Sequence, residues 1–225
     1  MGNTVTRAMT YSISQNQKNA VAALSFQGEP LSWFRLDDGV MGGQSETTMD
    51  KIQYHHKKEE ETTDILLQFV GNINTNGGGF TSIRAKVTLP AQATGLKIRY
   101  KGDGKTYKVL LSNANRGGPF SKTPSWQADL PTTSKVCEDG SNSDDDWDEV
   151  VIKFDTLLPA FGGGPRSQPS EEEKASYKFD PTEMKEIGLM LSLRLSDGSP
   201  NPKESFGDGE FPFTLLVHSI DIVVE

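Results

Sequence analysis

Ile83-Arg84-Ala85-Lys86-Val87-Thr88-Leu89 alternates apolar and polar side chains without a break. On an extended backbone successive side chains point to opposite faces, so Ile83, Ala85, Val87 and Leu89 are expected inward and Arg84, Lys86 and Thr88 in water. This is the pattern of a strand with one buried face, as in an antiparallel sheet. Outward from it, the same period recurs at Leu96, Ile98 and Tyr100, then at Tyr107, Val109 and Leu111, with Lys97, Arg99 and Lys108 on the opposite face. Asp103-Gly104 between these two runs predicts a hairpin turn. Further strands are expected at Trp147 to Phe154 and at Ile187 to Leu195, where every second residue is Ile or Leu. The run Phe213 to Val224 changes parity: Phe213, Leu215 and Val217 point one way, whereas Ile220, Ile222 and Val224 fall on even numbers. A bulge or bend near His218 and Ser219 is needed to restore the facing.

One helical signal stands out, Asp180-Pro181-Thr182-Glu183, with Asp as N-cap, Pro at the first position and Glu three residues after the cap. It supports one short helical turn. Numerous short strands with 22 Gly and 12 Pro between them favour two packed antiparallel sheets over a βαβ arrangement. In a chain of 225 residues this predicts a flexible N-terminal tail over 1–24 and a β-sandwich domain over 25–225. Residues 138–149, with seven acids, and residues 196–212, rich in Gly, Pro, Ser and Asp, read as surface loops.

The net charge of −8 argues against a general affinity for nucleic acid, which needs clustered Lys and Arg. The lone Cys137 has no partner for an internal disulfide, and a reducing compartment is expected. No apolar run reaches the ~20 residues that cross a bilayer. The tail lacks acids and is rich in hydroxyl and amide side chains, a faint likeness to a mitochondrial targeting segment. Its start, Met1-Gly2-Asn3-Thr4-Val5-Thr6, fits the pattern for N-myristoylation on Gly2, which would give only marginal, reversible membrane attachment.

Chemistry-bearing motifs are scarce. Gly104-Lys105-Thr106 lacks the upstream glycine of a phosphate-binding loop, because Arg99 occupies that position. His55 and His56 are adjacent, so on a strand they face opposite ways and would not chelate one ion. Asp144, Asp145, Asp146 and Asp148 lack EF-hand spacing and read as a solvated acidic loop. No catalytic constellation, metal site or cofactor motif is visible.

The most specific segment is Trp33-Phe34-Arg35-Leu36-Asp37-Asp38-Gly39-Val40-Met41-Gly42-Gly43-Gln44-Ser45. Asp37-Asp38-Gly39 is turn chemistry, Gly42-Gly43 permits positive φ or close backbone approach, and Val40-Met41 sets two apolar side chains within a polar loop. Such a tip either folds back on the sandwich or serves as a protein-binding surface. Asn76-Gly77-Gly78-Gly79-Phe80 raises the same question.

These residues resemble the family of the complex I intermediate-associated protein of thirty kilodaltons, whose members carry a Trp followed by Asp-Asp/Gly-Val-Met-Gly-Gly-x-Ser. The resemblance continues through Asn76 to Arg84 (Gly-Gly-Phe-x-Ser-x-Arg), Leu96 to Tyr107 (Gly-Asp-Gly-x-x-Tyr), Trp147 to Phe154 (Trp-x-x-Val-x-Ile-x-Phe) and the closing strand Phe213 to Ile222. It implies a galactose-binding-like jelly-roll β-sandwich and a non-enzymatic role as an assembly chaperone for respiratory complex I, the NADH:ubiquinone oxidoreductase, in mitochondria. It implies no catalytic residues and no cofactor. The acidic 138–149 stretch and the 196–212 loop are longer than the family pattern.

The leading expectation is therefore an assembly factor that binds unfolded or partly assembled complex I subunits through Asp37, Asp38, Val40, Met41, Gly42, Gly43 and Ser45 together with Gly78, Gly79 and Phe80. A carbohydrate-binding jelly roll using Trp33, Trp126 or Trp147 is the alternative, although core positions explain such residues more simply. Assembly work in a plastid or the cytosol is a third reading.

Overall fold

The structure, a computed structural model, describes residues 25–26, 29–55, 63–114, 123–134, 147–161 and 169–224. Its strands in chain order are β1 (Ser25–Phe26), β2 (Glu29–Pro30), β3 (Trp33–Arg35), β4 (Glu46–His55), β5 (Thr63–Asn74), β6 (Phe80–Lys86) and β7 (Ala93–Gly102). There follow β8 (Thr106–Ser112), β9 (Ser125–Pro131), β10 (Asp148–Lys153), β11 (Leu158–Ala160), β12 (Glu186–Ser192) and β13 (Glu210–Val224). A five-stranded sheet has the order β10-β7-β13-β5-β4 and a six-stranded sheet the order β11-β9-β8-β12-β6-β3, all neighbours antiparallel. The fold is the all-β sandwich that the alternation predicted, and the jelly roll that the family resemblance implied.

The inward residues of the two sheets share one apolar core. Phe69 on β5, Phe213 on β13 and Tyr107 on β8 meet edge to face across it, with ring centroids 4.9 to 6.3 Å apart. Ile83, Ala85, Val87 and Leu89 are all buried in that core. The parity change in the last strand is a register shift between Val217 and Ser219 against β7, so β13 stays one strand and presents apolar side chains inward on both sides of a bulge.

The hairpin expected at Asp103-Gly104 does not form. β7 belongs to the five-stranded sheet and β8 to the six-stranded one, so the chain crosses between layers here. β7 pairs with β10 and β13 and β8 with β9 and β12, and the Asp103 carboxylate faces into the crossing. It accepts hydrogen bonds from Tyr107 Oη at 3.0 Å, from the Thr214 amide at 3.0 Å and from the Lys105 amide at 3.3 Å, and pairs with Lys105 Nζ at 3.0 Å. Alternation alone could not distinguish the arrangements, because either puts the same side chains in the core.

The outer face of the six-stranded sheet also departs from expectation. Lys86 and Thr88 are exposed, but Arg84 is only 9% and Lys108 only 6% accessible. Arg84 stands opposite Gly188, and its stem lies in the space a side chain there would fill. Lys108 sits beneath a groove walled by β11 and a short helix.

The Asp180 turn is present over Pro181–Glu183, capped by a Thr182 amide bond to Asp180 Oδ1 of 2.8 Å. It is not the sole helical feature: α1 (Glu171–Ser176) opens with a capping box between Ser170 and Glu173, and α2 (Lys203–Phe206) lies within the expected 196–212 loop. That loop is not wholly at the surface, since Asn201 and Phe206 are buried and β13 begins at Glu210. β3, β4, β5, β9 and β11, where no strand was expected from the sequence, complete the layers. The tail with Gly2, His56, Cys137 and Asp144 to Asp146 lie outside the described residues.

Removing the Asp103 carboxylate orphans the buried Tyr107 hydroxyl and the Thr214 amide. Asp103→Ala is expected to cost about 3 kcal/mol in denaturant unfolding, and Tyr107→Phe, which removes one charge-assisted bond without leaving a buried donor, about 1.5 kcal/mol. Equal effects of the two would contradict this ordering.

Candidate functional site

The segment with the most specific sequence pattern leaves β3 at the edge of the six-stranded sheet and enters β4 at the edge of the five-stranded one. Ser82 holds its start, its carbonyl accepting from the Leu36 amide at 2.8 Å and its hydroxyl donating to the Leu36 carbonyl at 2.7 Å. Asp37 is extended, Asp38–Met41 form a single 3-10 turn, and Gly42 closes it at φ +89°, a conformation that favours glycine.

Asp38 is fully buried although aspartate is among the costliest side chains to desolvate. Its carboxylate is saturated: Oδ1 accepts from the Ser45 amide at 3.0 Å, and Oδ2 accepts from Ser45 Oγ at 2.7 Å, the Gly79 amide at 2.6 Å and the Phe80 amide at 3.3 Å. Gly43 and Gly78 flank it so closely that a Cβ on either would overlap the carboxylate. Ser45 Oγ in turn accepts from the Asn74 amide at 3.0 Å. Burial pushes the Asp38 carboxyl up, but the bonds from Ser45 Oγ and the three amides outweigh it and hold the group below its ordinary 3.8.

The β5–β6 connection, which carries Gly78 and Gly79, also crosses between the sheets. One carboxylate therefore ties together two crossings that are distant in sequence. Of the residues singled out in the sequence, Asp38, Gly43, Ser45, Gly78, Gly79 and Phe80 converge on this knot. Asp37 does not. It accepts from Thr47 Oγ1 at 2.7 Å and lines a shallow cleft of about 620 Å³ with Arg35 and Glu46, while Arg35 Nη1 donates to the Thr47 carbonyl at 2.7 Å. The backbone of Val40 and Met41 belongs to the 3-10 turn, and their side chains lie outside what is described.

Leu193 was expected to continue the buried face of Ile187, Leu189 and Leu191, but it is 41% exposed. Its amide donates to the Gly79 carbonyl at 3.0 Å and its side chain fills the space beside Gly79. An apolar side chain thus stands in water next to the knot, a neighbour that no local sequence signal marks.

The tryptophans do not form an open platform. Trp126 is buried against Phe179, Trp33 packs on the core, and Trp147 carries Lys101 over its ring at 4.6 Å with His218 edge-on. Among the described residues no group of three or more His, Cys, Asp or Glu could hold a metal ion, and no helix is long and apolar enough to cross a membrane.

Asp38→Ala strands four donors and is expected to destabilise by about 3 kcal/mol or more, and Gly43→Ala by roughly 1–3 kcal/mol through overlap. Because the folded pKa lies below the ordinary value, the stability due to this carboxylate is present above pH 3.8 and is lost as pH falls through the folded value. The gap in denaturant midpoint between wild type and Asp38→Asn should therefore narrow on acidification. A gap that widens in acid would contradict the assignment.

Structural comparison finds the family 11 carbohydrate-binding module of a cellulosomal cellulase of Clostridium thermocellum at a TM-score of 0.54 and 11% identity, covering 92% of this chain and 97% of that one. The same organism's family 11 module in complex with a β-1,3-1,4-mixed-linked tetrasaccharide aligns at a TM-score of 0.50 and 11% identity over 89% and 98% of the two chains. At such identity the likeness shows the fold alone. A search of curated proteins finds no match. The family model of complex I intermediate-associated protein 30 (CIA30) matches residues 23–217, so the chain belongs to the CIA30 family.

Proposed function

We propose that this chain is a non-enzymatic assembly factor that holds subunits or partly assembled intermediates of respiratory complex I, and that it does so at the sandwich end carrying Asp37 to Ser45, Gly78 to Phe80 and Leu193. Membership of the CIA30 family carries the reading, and the geometry of that end supports it. The Asp38 knot fixes both loops, so a partner would meet a surface ordered in advance and lose less conformational entropy on docking. Leu193 offers an exposed apolar contact beside backbone that glycines leave uncovered. Val40 and Met41 bring two more apolar residues to the same turn. Mitochondrial residence accords with the family's complex I role, and the family and fold are both of non-catalytic kinds.

The reading is tested by affinity capture from native cells with wild type, Met41→Asp and Leu193→Asp. The two variants alter neither the Asp38 carboxylate nor its donors, so their melting temperatures should stay within a few degrees of wild type. Complex I subunits should be recovered with wild type and fall about tenfold or more with each variant, since a central apolar contact replaced by a charge is worth ~2 kcal/mol. Equal recovery from all three would remove the site, and no complex I subunits with wild type would remove the function.

A further inference from the structure

The outer face of the six-stranded sheet carries a second feature, remote in role from the Asp38 knot. A groove of about 1120 Å³ has Lys108 on β8 and Gln127 on β9 at its floor. Leu158 to Phe161 form one wall, α1 another, and the Arg194 to Gly198 turn a third. Lys108 is 6% accessible, yet it makes no hydrogen bond or ion pair with any described residue. The stem of Lys108 is thus buried while its ammonium, which is not among the fully buried polar atoms, opens into the groove.

Its charged neighbours are of both signs. Asp129 stands opposite on β9 and attracts the ammonium without forming an ion pair with it, while its Oδ1 accepts from the Ser196 amide at 2.8 Å. On the rim Lys174 is paired with Glu171 at 2.8 Å, Arg194 Nη1 donates to the Gly198 carbonyl at 3.0 Å, and Asp197 Oδ1 accepts from the Ser199 amide at 2.8 Å. Burial lowers the Lys108 ammonium; the attraction of Asp129 recovers part and the repulsion of Arg84 opposes it, leaving the group at about 8 instead of 10.5. It is still protonated at neutral pH.

We propose that this groove binds a small organic monocarboxylate, whose carboxylate accepts a charge-assisted hydrogen bond from Lys108 Nζ. An ammonium that opens into the groove without a hydrogen-bond acceptor suits a single carboxylate, and the acids already around it, Asp129 among them, disfavour a polyanion such as a phosphate chain. The body of the ligand lies along Leu158, Pro159 and Phe161. Gln127 Nε2 donates to Ser125 Oγ at 2.9 Å, which leaves its carbonyl oxygen to accept from a ligand hydroxyl.

The test is calorimetric titration of the full chain with acetate, lactate and glucuronate, with glucose and inorganic phosphate as comparators. At least one carboxylate should bind about tenfold or more tightly than either comparator, and Lys108→Met and Lys108→Gln should each lower that affinity about tenfold or more. Thermal melts show whether the variants are folded and read the same charge independently. A lysine whose folded pKa is depressed weighs against folding below pH 8 and ceases to do so between 8 and 10.5. Lys108→Met should therefore melt higher than wild type at pH 7, with the difference shrinking over that interval. Absence of binding by all three carboxylates, phosphate binding as tightly as they do, or affinity unchanged in both variants would each overturn the proposal.

Discussion

A buried carboxylate that receives four hydrogen bonds from residues 7 to 42 positions away is the constraint on which one end of this sandwich depends. Two sheets packed face to face must be joined by chain that leaves one layer and enters the other, and such chain cannot use the ladder to satisfy its amides. Here two crossings lie side by side, and Asp38 supplies the acceptor for both. The desolvation of the charge is offset because every donor is close and fixed, so the carboxylate is held below its ordinary pKa in spite of its burial. The glycines at 43 and 78 follow from the same requirement, since only a residue without a Cβ lets the backbone approach the carboxylate.

Asp103 repeats the device at the β7–β8 crossing. There a carboxylate collects Tyr107, Thr214 and Lys105 from both layers. Between these two knots the core is held by alternating apolar residues and the edge-to-face rings of Phe69, Tyr107 and Phe213. The sandwich supplies rigidity and the knots determine where its loops are presented.

The layers were legible in the sequence because burial on one face leaves a period of two, seen at Ile83 to Leu89 and again in β7, β8 and β12. The bulge in β13 was legible for the same reason, as an error in that period. Which sheet each strand joins was not. Asp103-Gly104 looks like a hairpin turn from its neighbours alone, and what makes it a crossing is that β7 pairs with β13 and β8 with β12 and β9, all far along the chain. The site was half legible: Asp38, Gly43, Ser45 and Gly78 to Phe80 carry an unusual local pattern, but that Asp38 faces inward depends on amides 41 and 42 residues away. Leu193 and Lys108 misled in opposite senses, an apolar residue left in water and a lysine whose stem is buried, because the surrounding loops decide their exposure.

Native-state hydrogen exchange of the Ser45, Gly79 and Phe80 amides tests most directly whether Asp38 holds the two crossings as one unit. All three share one acceptor group, so they should be slow and open together with closely similar free energies, although they lie in different loops. Exchange of the Gly79 and Phe80 amides as fast as that of the exposed Gly39, while Ser45 stays protected, would contradict the account.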